Sequence, residues 1–283
     1  MSLDYEKLLH WPFAQVRRPY TRADVVRFAT GFGAGLPGPL QLDDAPFVHE
    51  ADPRVLPPVI VALADGEFWQ QQPETGIQWQ KLVHAEEALT LSGALPSEGE
   101  LLIDRRIVAI HDRGAARGAA IVEQQVIRDA RTGSRIATID VTTVARGDGG
   151  FGGPAEPARE RVAMPDRPPD AVIELATPAE EGAIFRLPAH FAVASANAGE
   201  RPQSVLRGLC CFGLAGRAVL KLWCDNRPER LRKLAVRYVG TMCTGETMRV
   251  ESWTTGPGRA VFRMRSVERD APVLDHGLVR FEP

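Results

Sequence analysis

The sequence predicts an α+β fold made of two like halves, and three observations carry the prediction. A stretch rich in glycine and proline, from Arg146 to Asp170, divides the 283 residues. The order of elements on its two sides is the same: a helix, a buried apolar helix, then a meander of short strands. A hydrophobic fraction of 44% beside 25% charged residues is that of an ordinary globular core.

In the first half, Thr21 to Phe32 opens on an N-cap threonine and carries Ala23, Val26, Phe28 and Ala29, which predicts a helix. Pro57 to Trp69 holds Val59, Ile60, Val61, Leu63, Ala64 and Phe68, apolar nearly all round as in a buried helix. Four strands follow at Leu82 to Leu91, Leu101 to His111, Ala119 to Asp129 and Ser134 to Ala145, rich in Val, Ile and Thr and separated by glycine turns. The second half repeats the order. A helix is expected over Thr177 to Leu187, with Pro178 in its first turn, and a buried helix over Leu209 to Trp223. Strands are expected near Leu231 to Tyr238, Thr247 to Thr255, Ala260 to Glu268 and Pro272 to Phe281. Two antiparallel sheets lying side by side, each wrapping a long buried helix, make a double hot dog arrangement: repeats at 1–145 and 171–283 and a linker at 146–170.

With 36 acidic against 34 basic side chains and a net charge of -2, the chain has no basic field for a nucleic-acid backbone. Nothing approaches the roughly 20 apolar residues of a membrane helix. The start lacks a leader pattern and the end, Phe281-Glu282-Pro283, lacks a peroxisomal signal, so a cytoplasmic setting is expected. Only 4 of the basic residues are lysine, a skew expected of a GC-rich bacterial genome. Cys210, Cys211, Cys224 and Cys243 have neither the spacing nor the histidines of a zinc site and read as reduced thiols. No metal is expected.

Specific strings then carry a resemblance. Gly149-Gly-Phe-Gly-Gly153, Pro165-Asp-Arg-Pro-Pro-Asp-Ala-Val172 and Gly208-Leu-Cys-Cys-Phe-Gly-Leu-Ala-Gly-Arg-Ala-Val-Leu220 resemble the linker and second half of the MaoC-like, hydratase 2 family. Leu56-Pro57 and Lys81-Leu-Val-His84 are similar to its first half. The resemblance implies an (R)-specific 2-enoyl-CoA hydratase or 3-hydroxyacyl-CoA dehydratase with an acyl-CoA thioester as ligand. Coenzyme A enters only as part of the substrate, no separate cofactor is implied, and a homodimer or a pairing with a related subunit is expected.

The family uses an Asp/His pair in a loop of form Y-x-L-S-G-D-x-N-P-L-H: one water is deprotonated as it attacks C3 while a proton reaches C2. The glycine of a His-Gly-Leu-Cys string gives its N–H to the enolate-like oxygen. Here that string reads Arg207-Gly208-Leu209-Cys210, so Gly208 is the expected oxyanion donor at a helix start. The loop departs from the family. It is shorter, has no carboxylate between Glu181 and Glu200, and offers His190 as its one candidate base, with Ser195 and Asn197 as loop polars. Lys81, His84 and Arg207 are expected to meet coenzyme A phosphates or to form surface ion pairs. His49, Glu50 and Asp52 make a His/carboxylate cluster that reads as a loop before the first buried helix. Two alternatives stay open: a degenerate acyl-CoA-binding or partner subunit, and a hot dog thioesterase using Asp65 or Glu67 on that helix.

Overall fold

The computed structural model describes residues 3–37, 41–49, 51–93, 95–158, 162–179, 182–187 and 203–283. Five helices are described: α1 (Tyr5–Leu9), α2 (Arg22–Gly31), α3 (Gln41–Val48), α4 (Val59–Ala64) and α5 (Gly208–Trp223). The first-half strands are β1 (Val16–Tyr20), β2 (Leu82–Leu91), β3 (Gly99–Asp112), β4 (Ala119–Asp129) and β5 (Arg135–Ala145). The second-half strands are β6 (Ala171–Ala176), β7 (Leu231–Tyr238), β8 (Thr247–Gly256), β9 (Arg259–Ser266) and β10 (Ala271–Phe281).

All ten strands join in one sheet of order β1-β3-β4-β5-β2-β7-β10-β9-β8-β6. The expected pair of sheets is therefore fused edge to edge through β2 and β7, where Glu86, Ala88 and Thr90 face Arg237, Ala235 and Lys233 in antiparallel register. The architecture is the α+β double hot dog, with β1 and β6 as edge strands that sequence patterning missed. β1 reads Val-Arg-Arg-Pro-Tyr, and a proline is tolerated there because an edge strand need not donate on its outer side.

The two halves differ in their helices. α5 runs for 16 residues and is buried from Leu209 to Leu220. Its first-half counterpart, expected over 57–69, is helical only at Val59–Ala64: Asp65 turns out of the helix at ψ 123° and Gly66 follows. Glycines in the middle of α5 let other elements approach. A Cβ on Gly213 would lie 2.1 Å from the Phe32 ring, and one on Gly216 would lie 2.2 Å from Pro58. Each glycine costs a helix about 1 kcal/mol relative to alanine, a cost accepted here for closer packing.

α2 forms as expected, with a capping box between Thr21 and Asp24. The helix expected over 177–187 is absent among the described residues. β6 precedes it, Thr177 donates its hydroxyl to the carbonyls of Glu246 and Cys243, and Arg186 bridges to Leu206. The threonine hydroxyl thus extends the sheet edge instead of capping a helix.

A buried charge cluster ties the halves together. Asp44 of α3 is 1% exposed, 2.6 Å from an Arg217 guanidinium nitrogen and 2.9 Å from Lys221 Nζ, both on α5. Arg217 also donates to the Phe32 carbonyl at 3.0 Å, and the Gly35 N–H donates to Asp44 at 3.1 Å. The segment after Ala145 crosses the outer face of the sheet. Asp112 gathers its glycine loop by accepting from the amides of Gly114, Gly150 and Gly152 at 2.8, 2.7 and 2.7 Å. Arg113 pairs with Glu156 at 3.1 Å, and the Val162 carbonyl accepts from His276 Nδ1 at 2.9 Å. Among the described residues no helix is long and apolar enough to cross a membrane.

Candidate functional site

The site lies where the N-terminus of α5 meets the inner face of the β2–β7 seam. In β2, Glu87 shares the parity of buried Leu89 and Leu91, so its carboxylate points inward, while Glu86 and Ala88 face outward. In β7, Tyr238 shares the parity of Leu234 and Val236 and points to the same side. Glu87, at 2% side-chain exposure, accepts a 2.5 Å hydrogen bond from the Tyr238 hydroxyl, which also lies 3.2 Å from the Gly208 carbonyl. His84 completes the group. Its ring sits 4.5 Å from that of Tyr238 between centroids, and its Nε2 lies 3.7 Å from Glu87 Oε2. Nε2 is shut off from water and has no hydrogen-bond partner.

Gly208 makes this approach possible. A Cβ there would lie 3.1 Å from the Tyr238 ring and 3.4 Å from His84 Nδ1, so the glycine lets both rings pass the helix start. Its amide, in the first turn, has no intrahelical acceptor, and the helix dipole adds positive potential there. Arg207, the preceding residue, is the N-cap and pairs with Asp65 at 2.9 Å, both half-exposed.

The electrostatics separate the two titrating groups. Burial pushes the Glu87 carboxyl up to about 7, with the Tyr238 hydrogen bond pulling it down, Asp65 pushing it up and Arg207 pulling it down. Burial lowers the His84 imidazole to about 4; the Glu86 backbone opposes this, Arg207 lowers it further and Asp65 opposes. Tyr238 is held well above its ordinary value by burial and by the neighbouring Glu87 charge. Near neutral pH the pair is a neutral imidazole beside a carboxyl close to half ionised, an arrangement suited to proton transfer.

The structure brings three expected residues, His84, Arg207 and Gly208, to one place. His84 packs its ring on Tyr238, and burial lowers its imidazole. Lys81 stays exposed and donates to Gln78 at 2.8 Å. His190, with Ser195 and Asn197, lies outside the described residues, as does Glu50; His49 and Asp52 are exposed, and Asp52 accepts from Ser97. Asp65 does stand beside the helix start, committed to Arg207, whereas Glu67 accepts from Gln72 at 3.1 Å. Glu87 and Tyr238 were missed by sequence reasoning, although strand parity with the neighbouring leucines and valine would have marked both as inward-facing. A cavity of about 720 Å³ lies elsewhere, on the outer face under the linker, lined by Glu86, Arg113, Lys233, Arg237 and His276 among others. Among the described residues no group of three His, Cys, Asp or Glu is placed to hold a metal.

A fused antiparallel sheet wrapped on one long buried helix, with a polar cluster at that helix's start, defines a double hot dog protein. Residues 19–147 match the MFE-2 hydratase 2 N-terminal domain, and residues 160–276 match the MaoC like domain. The chain is 32% identical to the 3-hydroxyacyl-thioester dehydratase Y of Mycobacterium tuberculosis, over 93% of each chain. It is 28% identical to a probable enoyl-CoA hydratase 2 of Dictyostelium discoideum, over 100% of this chain and 98% of that one. The crystal structure of a MaoC-like dehydratase from Phytophthora capsici shares the fold, with a TM-score of 0.80 at 24% identity over 98% of both chains. The chain belongs to the MaoC-like, hydratase 2 family.

Proposed function

We propose that the protein binds an acyl-CoA thioester at the start of α5 and interconverts the trans-2-enoyl and (R)-3-hydroxyacyl forms by adding or removing water. The observation that carries this reading is the first-turn amide of Gly208, which donates to no carbonyl among the described residues, beside the His84, Glu87 and Tyr238 cluster. An N–H there stabilises the negative charge that develops on the thioester oxygen when water attacks C3. Arg207 and Lys81 are our candidates for the phosphates of coenzyme A, and His190 is the residue of the shortened loop able to join the proton transfers. Free, buried cysteines support a reducing, cytoplasmic setting, for which we propose a bacterial cell and a homodimer or a related partner subunit.

The test is the loss of enoyl-thioester absorbance when the protein meets a short and a medium trans-2-enoyl-CoA, with His190→Ala alongside. Hydration by the wild type supports the reading, and its loss in the variant assigns His190 a chemical role. Saturable binding of both thioesters without turnover would replace it with a binding subunit, the reading favoured by a loop without a carboxylate.

A further inference from the structure

The loop that holds an Asp/His pair in the family has no carboxylate here, yet hydration requires a group that accepts the water's proton and a charge that stabilises the protonated group. Within the described residues a carboxylate and an imidazole do stand together at the oxyanion amide, and they come from the other half of the chain. We propose that His84 and Glu87 on β2 are the acid/base pair of this enzyme, His84 meeting the water and Glu87, braced by Tyr238, positioning and charge-balancing it. The inference rests on the hydratase reading and names the residues that would carry out its chemistry.

The geometry assigns each atom a task. Nε2 of His84 faces Glu87 Oε2 at 3.7 Å, within a small movement of a hydrogen bond, and it is a buried nitrogen without a hydrogen-bond partner. Nδ1 lies on the Gly208 side, 3.4 Å from where a Cβ would stand there. The ring keeps 37% of its side chain exposed, so a ligand can reach it, while Glu87 behind it is sealed at 2%. Tyr238 fixes Glu87 at 2.5 Å and anchors it to the Gly208 carbonyl, so carboxylate, ring and oxyanion amide share one support. A base oriented by a buried acceptor, itself oriented by a third group, is the general arrangement of activated proton carriers.

In the reaction the water oxygen bonds to C3 as its proton passes to His84 Nδ1. The C2=C3 electron pair moves toward the carbonyl, whose oxygen takes the negative charge under the Gly208 N–H. Ionised Glu87 stabilises the imidazolium so formed. The enolate electrons then take the proton back from His84 at C2, leaving a 3-hydroxyacyl thioester and the original imidazole; one water is consumed and nothing is oxidised. The charges around the ring are Glu87, Asp65 and Arg207, with the Tyr238 hydroxyl and the Glu86 backbone completing its surroundings.

Steady-state hydration of trans-2-enoyl-CoA from pH 5.5 to 9 tests this in the full chain, with melting curves to confirm that each variant is folded. Wild-type kcat should rise with pH through the Glu87 titration, since the ionised carboxylate is the active form. Glu87→Gln should lower kcat by about 10²- to 10⁴-fold with little change in KM and should lose that limb; Glu87→Asp should recover part of both. His84→Asn should fall as far as Glu87→Gln. Tyr238→Phe, which removes the hydrogen bond that favours ionised Glu87, should move the limb to higher pH, a shift that a purely structural role would not produce. An unchanged kcat and pH limb in folded Glu87→Gln overturns the pair alone. Absence of turnover in the wild type overturns the pair and the hydratase reading together.

Discussion

Asp44→Asn tests how far the buried charge cluster holds the two halves together. The substitution keeps shape and removes the charge that faces Arg217 and Lys221, which are 3% and 7% exposed. Stranding buried cations costs about 3–5 kcal/mol. Unfolding entropy near 60 °C is about 2.1 cal/mol/K per residue, which over 283 residues is about 0.6 kcal/mol/K. The melting temperature should therefore fall by about 5–8 °C, read by circular dichroism or differential scanning fluorimetry at pH 7. The pH dependence supplies a second reading. Burial alone would raise the Asp44 carboxyl, but Arg217, Lys221 and the Gly35 amide override it and hold the group below its ordinary 3.8. A depressed carboxyl stabilises the fold above its unfolded value and loses that contribution as pH falls through the folded value. The gap between wild type and variant should stay open down to about pH 4 and close below it. A drop of less than about 2 °C, or a gap independent of pH, would refute the claim that the cluster is dry and that Asp44 neutralises it.

Two further outcomes follow from packing and from the linker. Gly213→Ala puts a methyl 2.1 Å from the Phe32 ring, and overpacking of this kind typically costs about 1–3 kcal/mol, seen as a lower melting temperature. Asp112→Ala removes the acceptor shared by the Gly114, Gly150 and Gly152 amides, so limited proteolysis should cut the glycine loop faster with little change in the melting of the sheet. Because those amides hold the Asp112 carboxyl below its ordinary value, wild-type protection of the loop should fade as pH drops below about 4 and approach that of the variant.

The sheet was largely legible because eight of its strands combine β-branched residues with glycine turns, and α5 because all but Arg217 and Lys221 of its residues are apolar or glycine. β1 was hidden by its two arginines and a proline, which on their own describe a loop. β6, Ala-Val-Ile-Glu-Leu-Ala, abuts a proline-rich stretch and reads as its continuation. The helix over 177–187 was expected from a threonine and a proline in capping positions, but the Thr177 hydroxyl found acceptors on the sheet edge. The site was only partly readable. Gly208, Arg207 and His84 stand in strings that can be compared with relatives, whereas Glu87 follows another glutamate and looks solvated until its register is known. Asp44 and Lys221 give no local sign at all, since their pairing is set by how α3 lies on α5.

The seam at β2 and β7 changes what the protein depends on. Two separate chains joined along such an edge would part on dilution, at a concentration fixed by their affinity. Joined by one polypeptide, the halves meet at an effective concentration set by the tether and not by how much protein is present, so the seam does not part on dilution. The tether also releases each half from having to match its partner. A symmetric pair must carry every substitution twice, but here one half could shrink its helix to six residues while contributing His84 and Glu87, and the other could keep the sixteen-residue helix that presents Gly208. A lopsided candidate site, built from both halves and, among the described residues, duplicated in neither, is what that freedom permits.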